Sequence, residues 1–204
     1  DGKKPFQIYD SLVVEKGATL TINSGVRLYF HPASNLIVHG TLKVHGTLDA
    51  PVVMRGDRLG NMFSDQPYDR IPGQWGGVIF TKDSYDNYLN YCDIHSGSFG
   101  ILCDSSDVSR RKLDIENSII HNVNGHGLYS KMSQIFLGNT QVTNAGGNCI
   151  TLRGGHSAFI HCTIGNFYVF TGGRGVALDF SNEEGNTRLP LYNAEFINCL
   201  ITGY

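Results

Sequence analysis

Tyr91-Cys92-Asp93-Ile94-His95-Ser96 is a short stretch that the chain writes five times. It returns as Asn117-Ser118-Ile119-Ile120-His121-Asn122, Asn139-Thr140-Gln141-Val142-Thr143-Asn144, His161-Cys162-Thr163-Ile164-Gly165-Asn166 and Asn198-Cys199-Leu200-Ile201-Thr202-Gly203. The second position is always Cys, Ser or Thr, the fourth always Ile or Val, and the sixth always Ser, Asn or Gly. The copies start 26, 22, 22 and 37 residues apart. A period near 22, stretched where a loop is inserted, marks a solenoid whose repeats stack on one another.

Residue types select the kind of solenoid. Each repeat holds short runs rich in β-branched and aromatic residues, separated by Gly, Asn or Ser, which are strand and turn signals. No run shows a helical face. Residues two apart, such as Cys162 and Ile164, share one strand face, and that face is read as the interior. The N-terminal part keeps the same period. Leu12–Val14, Thr19–Ile22 and Val26–Phe30 form one trio of strands, answered by Leu36–Val38, Thr41–Val44 and Val52–Met54. Further on, Gly77–Phe80, Gly100–Cys103, Gly127–Ser130, Cys149–Leu152 and Gly175–Leu178 align as a second ladder. Asp1–Tyr9 reads as a polar lead-in.

The expectation is therefore an all-β right-handed parallel β-helix of roughly seven turns of about 22–26 residues, one domain over residues 1–204. Two segments break the period: 55–74, closed by the only tryptophan, Trp75, and the smaller 181–190. Tyr204 falls partway through a turn, which suggests an N-terminal part of a longer protein. The pattern resembles the right-handed parallel β-helix superfamily of pectate lyases and polygalacturonases. The opening, with Gly-Ala-Thr-Leu-Thr-Ile at 17–22, its Gly-Thr-Leu corners and Ala-Pro-Val-Val-Met at 50–54, resembles secreted or surface β-helix proteins of Bacteroides type. That resemblance implies a bacterial secreted or cell-surface location, periplasmic or attached to the outer membrane, with a lipid anchor upstream of residue 1.

Composition narrows the partners. The net charge is −2 and charged residues are 17%, so a nucleic-acid partner is not expected. No apolar run has the roughly 18 residues of a membrane helix. Five cysteines cannot all pair within one chain, and they read as buried apolar fillers, with a Cys162–Cys199 disulfide allowed by their adjacent turns.

Chemistry is less legible. Gly125-His126-Gly127 matches the Gly-His-Gly of polygalacturonases, but the positions one turn earlier, Ser98 and Phe99, are not acids, and the family's Asn-Thr-Asp and Arg-Ile-Lys elements are absent. Glycoside cleavage needs two carboxylates. Asp93, Asp114, Glu116 and Asp179 fall in different columns. The weak catalytic candidates are Asp65, Asp69 and Arg70 in the long loop, and His126. His95 and His121 share the fifth position on adjacent turns, within reach of one cation together with Asp93 or Asn122. An outward polar ladder is the reading taken, with no metal and no cofactor assigned; calcium enters only if the chain is a lyase. Aromatic residues number 22, and Trp75, Tyr68, Phe63 and Tyr85 are the candidates for stacking on sugar rings, against the competing reading in which Trp75 and Phe63 anchor the loop over the side of the solenoid. The expected function is a non-catalytic extracellular or cell-surface module contacting carbohydrate or another surface protein. The alternative is a polysaccharide lyase or glycoside hydrolase for an acidic polysaccharide, with catalytic groups in the long loop or in turns beyond residue 204.

Overall fold

In the computed structural model, which describes residues 4–203, the chain is a parallel β-solenoid of about seven turns. It visits three sheets in rotation. The first holds Phe6–Ile8, Arg27–Phe30, Val52–Gly56, Cys92–His95, Ile119–Val123, Gln141–Ala145, Thr163–Asn166 and Leu200–Gly203. Leu12–Val14, Leu36–Val38, Val78–Phe80, Ile101–Cys103, Leu128–Lys131, Ile150–Arg153 and Leu178–Ser181 form the second. Thr19–Asn23, Thr41–His45, Asn87–Asn90, Arg111–Glu116, Gln134–Gly138, Gly155–Ile160 and Leu191–Ile197 form the third. Every pairing within these sheets is parallel, as it must be when each turn lays its strand beside the same strand of the turn before.

The core is a set of inward rungs. In the first sheet Leu28, Met54, Ile94, Ile120, Val142, Ile164 and Ile201 follow one another in register. All but Ile201 are buried; Ile201 lies on the last turn and is 42% exposed. In the third sheet Ile22, Val44, Leu89, Ile115, Leu137, Phe159 and Phe196 do the same, and Phe159 stacks on Phe196 with centroids 4.7 Å apart.

Two repeat positions have a clear physical cause. The first residue of each copy, Tyr91, Asn117, Asn139, His161 and Asn198, has φ between 46° and 57° and turns the corner between the third and first sheets. Left-handed backbone costs most residues roughly 1–2 kcal/mol, and Asn lowers that cost through local hydrogen bonds. Asn117 Nδ2 donates to Asn90 Oδ1 at 2.8 Å and Asn139 Nδ2 to Asn117 Oδ1 at 3.3 Å, so the corner carries an amide ladder. The second residue closes the same corner. Ser118 Oγ, Thr140 Oγ1, Cys162 Sγ and Cys199 Sγ donate to the carbonyl two residues back, at 2.6, 2.8, 3.5 and 3.4 Å. Cys162 and Cys199 thus stand in for a hydroxyl as well as filling space. All five cysteines are free thiols, Cys199 partly exposed and the others buried.

Three expectations are corrected. The lead-in contains a strand, Phe6–Ile8, whose backbone pairs with Leu28–Phe30; Phe6 and Gln7 are exposed, while Ile8 packs against the end of the core. The last rung of the second sheet is shifted by two: Leu178, not Val176, lies opposite Ile150, because the irregular chain at 167–177 takes up the extra residues. The segment 55–74 is not featureless. Arg55 and Gly56 finish a strand, Asn61–Phe63 pairs antiparallel with Gln66–Pro67, and Tyr68–Arg70 forms a 3-10 turn. The second excursion likewise holds a small hairpin, Glu183–Glu184 with Thr187–Arg188.

Candidate functional site

Strand alternation aims the third and fifth residues of each repeat copy outward. One outward column runs Gln7, Tyr29, Arg55, and then His95, His121 and Thr143, one residue per turn. Asp93 stands two residues before His95, so its carboxylate lies on the same face. The rings of His95 and His121 stack with centroids 4.8 Å apart, the natural spacing of adjacent strands. Asp93 Oδ1 sits between them, 2.8 Å from His95 Nδ1 and 3.2 Å from His121 Nε2.

The long excursion roofs this face. Its exit runs beside the corner at 96–97, where Gln74 N–H donates to the Ser96 carbonyl and Gly73 N–H to the Gly97 carbonyl. Trp75 is driven inward. It is 1% exposed, stacks on Phe30 at 4.3 Å, and donates its indole N–H to the His95 carbonyl at 2.8 Å. Asp69, on the 3-10 turn, then lands over the column. Its Oδ1 lies 2.8 Å from His95 Nε2 and pairs with the Arg55 guanidinium. Arg55 lies over the Tyr29 ring and donates to the Arg58 carbonyl. Asn122 Nδ2 donates to the Arg70 carbonyl at 3.0 Å, a second tie between excursion and sheet.

His95 is therefore not part of a solvated ladder: the roof leaves it 5% exposed. Burial alone would lower its pKa. Hydrogen bonds to Asp69 and Asp93, with the charge of both carboxylates, outweigh that and raise it to about 9. At neutral pH the ring is an imidazolium donating both N–H groups. Burial pushes Asp93 the other way, toward the neutral acid, yet its bonds to His121 and His95 hold it far below the ordinary carboxylate range. The His95 hydrogen bond likewise lowers Asp69.

Of the residues singled out from the sequence, this centre gathers Asp69, His95, His121 and Asp93. Asp65 is exposed beyond the excursion's first strand, and the Arg70 side chain is exposed. Phe63 is 63% exposed, whereas Tyr68 is covered by Arg58, whose guanidinium is 5.0 Å from the ring centroid. Trp75 is enclosed by protein and presents no face to a sugar. Tyr85 lies on another side of the solenoid, under Arg110 at 4.1 Å, its hydroxyl accepting the Asp107 N–H. The tie between Asp69 and His95 carries no sequence signal, since a residue outside the repeat has no register.

His126 belongs to a second polar group on the outer face of the second sheet. It shares a cavity of about 510 Å³ with Tyr129, Thr151, Arg153, Asp179 and Glu184. His126 Nδ1 accepts the Asn148 N–H at 3.2 Å and lies 3.1 Å from the Thr151 hydroxyl. Burial lowers its pKa, so the ring is neutral at pH 7. Arg153 pairs with Asp179 at 2.5 Å. Glu184, on the second excursion, pairs with Lys131 at 2.5 Å and accepts the Tyr129 hydroxyl at 2.5 Å. The sequence points to His126 and Asp179 separately but not to their joining with Glu184, which lies outside the repeat. Asp114 and Glu116 stand two residues apart on the outer face of one strand, in the separate columns expected of them. Burial raises Asp114, and Tyr88 donates to Glu116 at 3.0 Å.

Among the described residues no helix is long and apolar enough to cross a membrane. No protein-family profile matches the chain, and no solved structure matches it. One curated protein is similar over a short stretch: Protein bark beetle of Drosophila melanogaster, 43% identical over 51 residues. That stretch is 25% of this chain and 2% of the other, so the likeness is to a small piece of a far longer protein.

Proposed function

We propose that the chain is a non-catalytic module of a secreted or cell-surface protein, built on a β-helix of the pectate lyase type and contacting carbohydrate or another surface protein. One observation carries the non-catalytic part. Three of the groups that converge under the long excursion, His95, Asp93 and Asp69, are driven toward the charged form and paired with one another. His95 is held protonated, Asp93 and Asp69 ionised. A general acid or base works best with a pKa near the operating pH. A set locked as ion pairs holds a loop in place instead. The short likeness to a piece of a much longer protein suits a module.

A lyase or hydrolase reading is kept by one specific feature, the groove of the second sheet, where neutral His126 lies near Tyr129, Arg153, Asp179 and Glu184. One experiment separates the two. Purified protein is incubated with pectins, alginate and glycosaminoglycans, with and without calcium, while retention on each glycan, unsaturated products and new reducing ends are followed. Retention without product is the expected result. Product from any one glycan, abolished in E184Q, overturns the non-catalytic reading. Absence of both retention and product removes carbohydrate as the contact and leaves a surface protein as the partner.

A further inference from the structure

We propose that Asp93, His95 and His121 form a binding site for a divalent transition metal, zinc in the first instance, and that the metal clamps the long excursion onto the sheet. The proposal is independent of what the module contacts. Its basis is the convergence of three donors of the right kind. Each of the three offers a donor atom within 4.8 Å of those of the other two, and Asp93 Oδ1 lies 2.8 Å from His95 Nδ1 and 3.2 Å from His121 Nε2. Donors each about 2.0–2.2 Å from one zinc ion stand roughly 3.3–3.5 Å apart in a tetrahedron. The 2.8 Å separation of Asp93 and His95 has to open by about half an ångström to reach that spacing, while His121 already stands 3.2 Å from Asp93 and, with a side chain 26% exposed, has room to turn. Two imidazoles and a carboxylate favour zinc, copper or nickel over calcium or magnesium, which take oxygen donors.

A second observation points the same way. Metal-bound histidines commonly donate their other ring N–H to a carboxylate, which fixes the tautomer and orients the ring. His95 has that arrangement already, its Nε2 on Asp69 at 2.8 Å and Asp69 anchored by Arg55. The cation takes the place of the proton now shared by His95 Nδ1 and Asp93, and one proton is released. The Nε2–H bond to Asp69 is kept and becomes the link from metal to excursion. Three protein donors leave a position for water or for a carboxylate of a partner.

The test uses the purified chain freed of metal by a chelator and titrated with zinc alone by calorimetry. The expected result is one equivalent bound with proton release, a higher melting temperature, and slower tryptic cleavage at Arg58 and Arg70. His121→Gln, a partly exposed position that leaves the core intact, should weaken binding at least tenfold. Asp69→Asn should weaken it about 10–100-fold, the usual cost of losing such a supporting carboxylate. Cobalt supplies an independent readout through its visible absorption band, which should appear in the wild type and be lost in H121Q. Absence of stoichiometric binding, or equal binding by wild type and H121Q, overturns the proposal; the second result would assign the metal to another histidine.

Discussion

Ile120 sits mid-way along the inward column of the first sheet, with Ile94 before it and Val142 after it, and is fully buried. Ile201 occupies the same column at the last turn and is 42% exposed. One substitution, Ile→Ala, at both places measures what a rung is worth inside the stack and at its end. Three carbons are lost, about 2.4 kcal/mol at about 0.8 kcal/mol per buried methylene. At Ile120 a cavity term adds to this. The site cannot collapse easily: a Cβ built on Gly100 would lie 2.6 Å from Ile120 Cγ2, so neighbouring backbone is already in contact. The total is about 3–4 kcal/mol, within the range for buried Ile→Ala changes. At Ile201 the exposed fraction is already in water and no closed cavity forms, so the cost is about 1–1.5 kcal/mol. For a chain of this size 1 kcal/mol moves the midpoint about 2–4 °C. Thermal melts followed by circular dichroism should show losses of roughly 6–16 °C for I120A and 2–6 °C for I201A. Equal losses at the two sites would refute the assignment of these residues to one column with a closed middle and an open end.

Asp69→Asn removes the charge shared by His95 and Arg55. Because the Asp69 side chain is 45% exposed, the cost is discounted to about 1–2 kcal/mol, with a midpoint about 2–8 °C lower and faster tryptic cleavage at Arg58 and Arg70. Glu184 has its carboxyl lowered from 4.5 by hydrogen bonds from Lys131 and Tyr129. A lowered folded-state pKa stabilises above the unfolded value and is lost as pH falls. Protection of the Glu183–Arg188 hairpin amides, measured relative to their intrinsic exchange rates, should therefore fall below about pH 4.5 in the wild type and not in E184Q. Burial raises the thiols of Cys103 to about 12 and of Cys149 and Cys162 to about 11. At pH 8 an aromatic disulfide reagent should therefore modify Cys199 alone in the native protein and all five thiols after denaturation.

The repeat made the ladder readable because its period is a physical contact. Ile94, Ile120, Val142 and Ile164 align in sequence, and the chain places them on consecutive rungs. The same alignment paired His95 with His121. It could not show that His95 would be buried, because the burying segment lies outside the repeat and has no register to read. Asp69 was selected as one of several charged loop residues; nothing in its neighbours distinguishes it from Asp65, which points to solvent. Trp75 is ambiguous in the sequence for a related reason. An aromatic at the edge of a loop reads equally well as a sugar platform or as an anchor, and the deciding fact is Phe30, 45 residues earlier in the chain. The first repeat position carried an unread signal. Asn or His at four of five copies marks a left-handed corner, a preference visible in the residue types alone.

The excursions and the ladder are nearly separate in energy, which explains where the polar chemistry sits. A solenoid turn is held by the turns on either side, so chain inserted at one corner leaves the rungs in register: Val78 still lies opposite Leu36 across the long excursion. Closing a longer loop is inexpensive, about 0.6 kcal/mol per doubling of its length. Burying Trp75 against Phe30 contributes about 2–3 kcal/mol in return, more than the closure term. The excursion is thus anchored at its exit before Asp69 makes any bond. Losing Asp69 should loosen the roof around its 3-10 turn while the exit stays docked, whereas Trp75→Ala should release the whole segment. Charged groups gather where a roofing segment meets the outer face of a sheet, because there the fold removes them from water without disturbing a rung; Lys112, buried at a bulge of the third sheet and donating to the Thr81 and Ser84 carbonyls, is the exception that does interrupt the register.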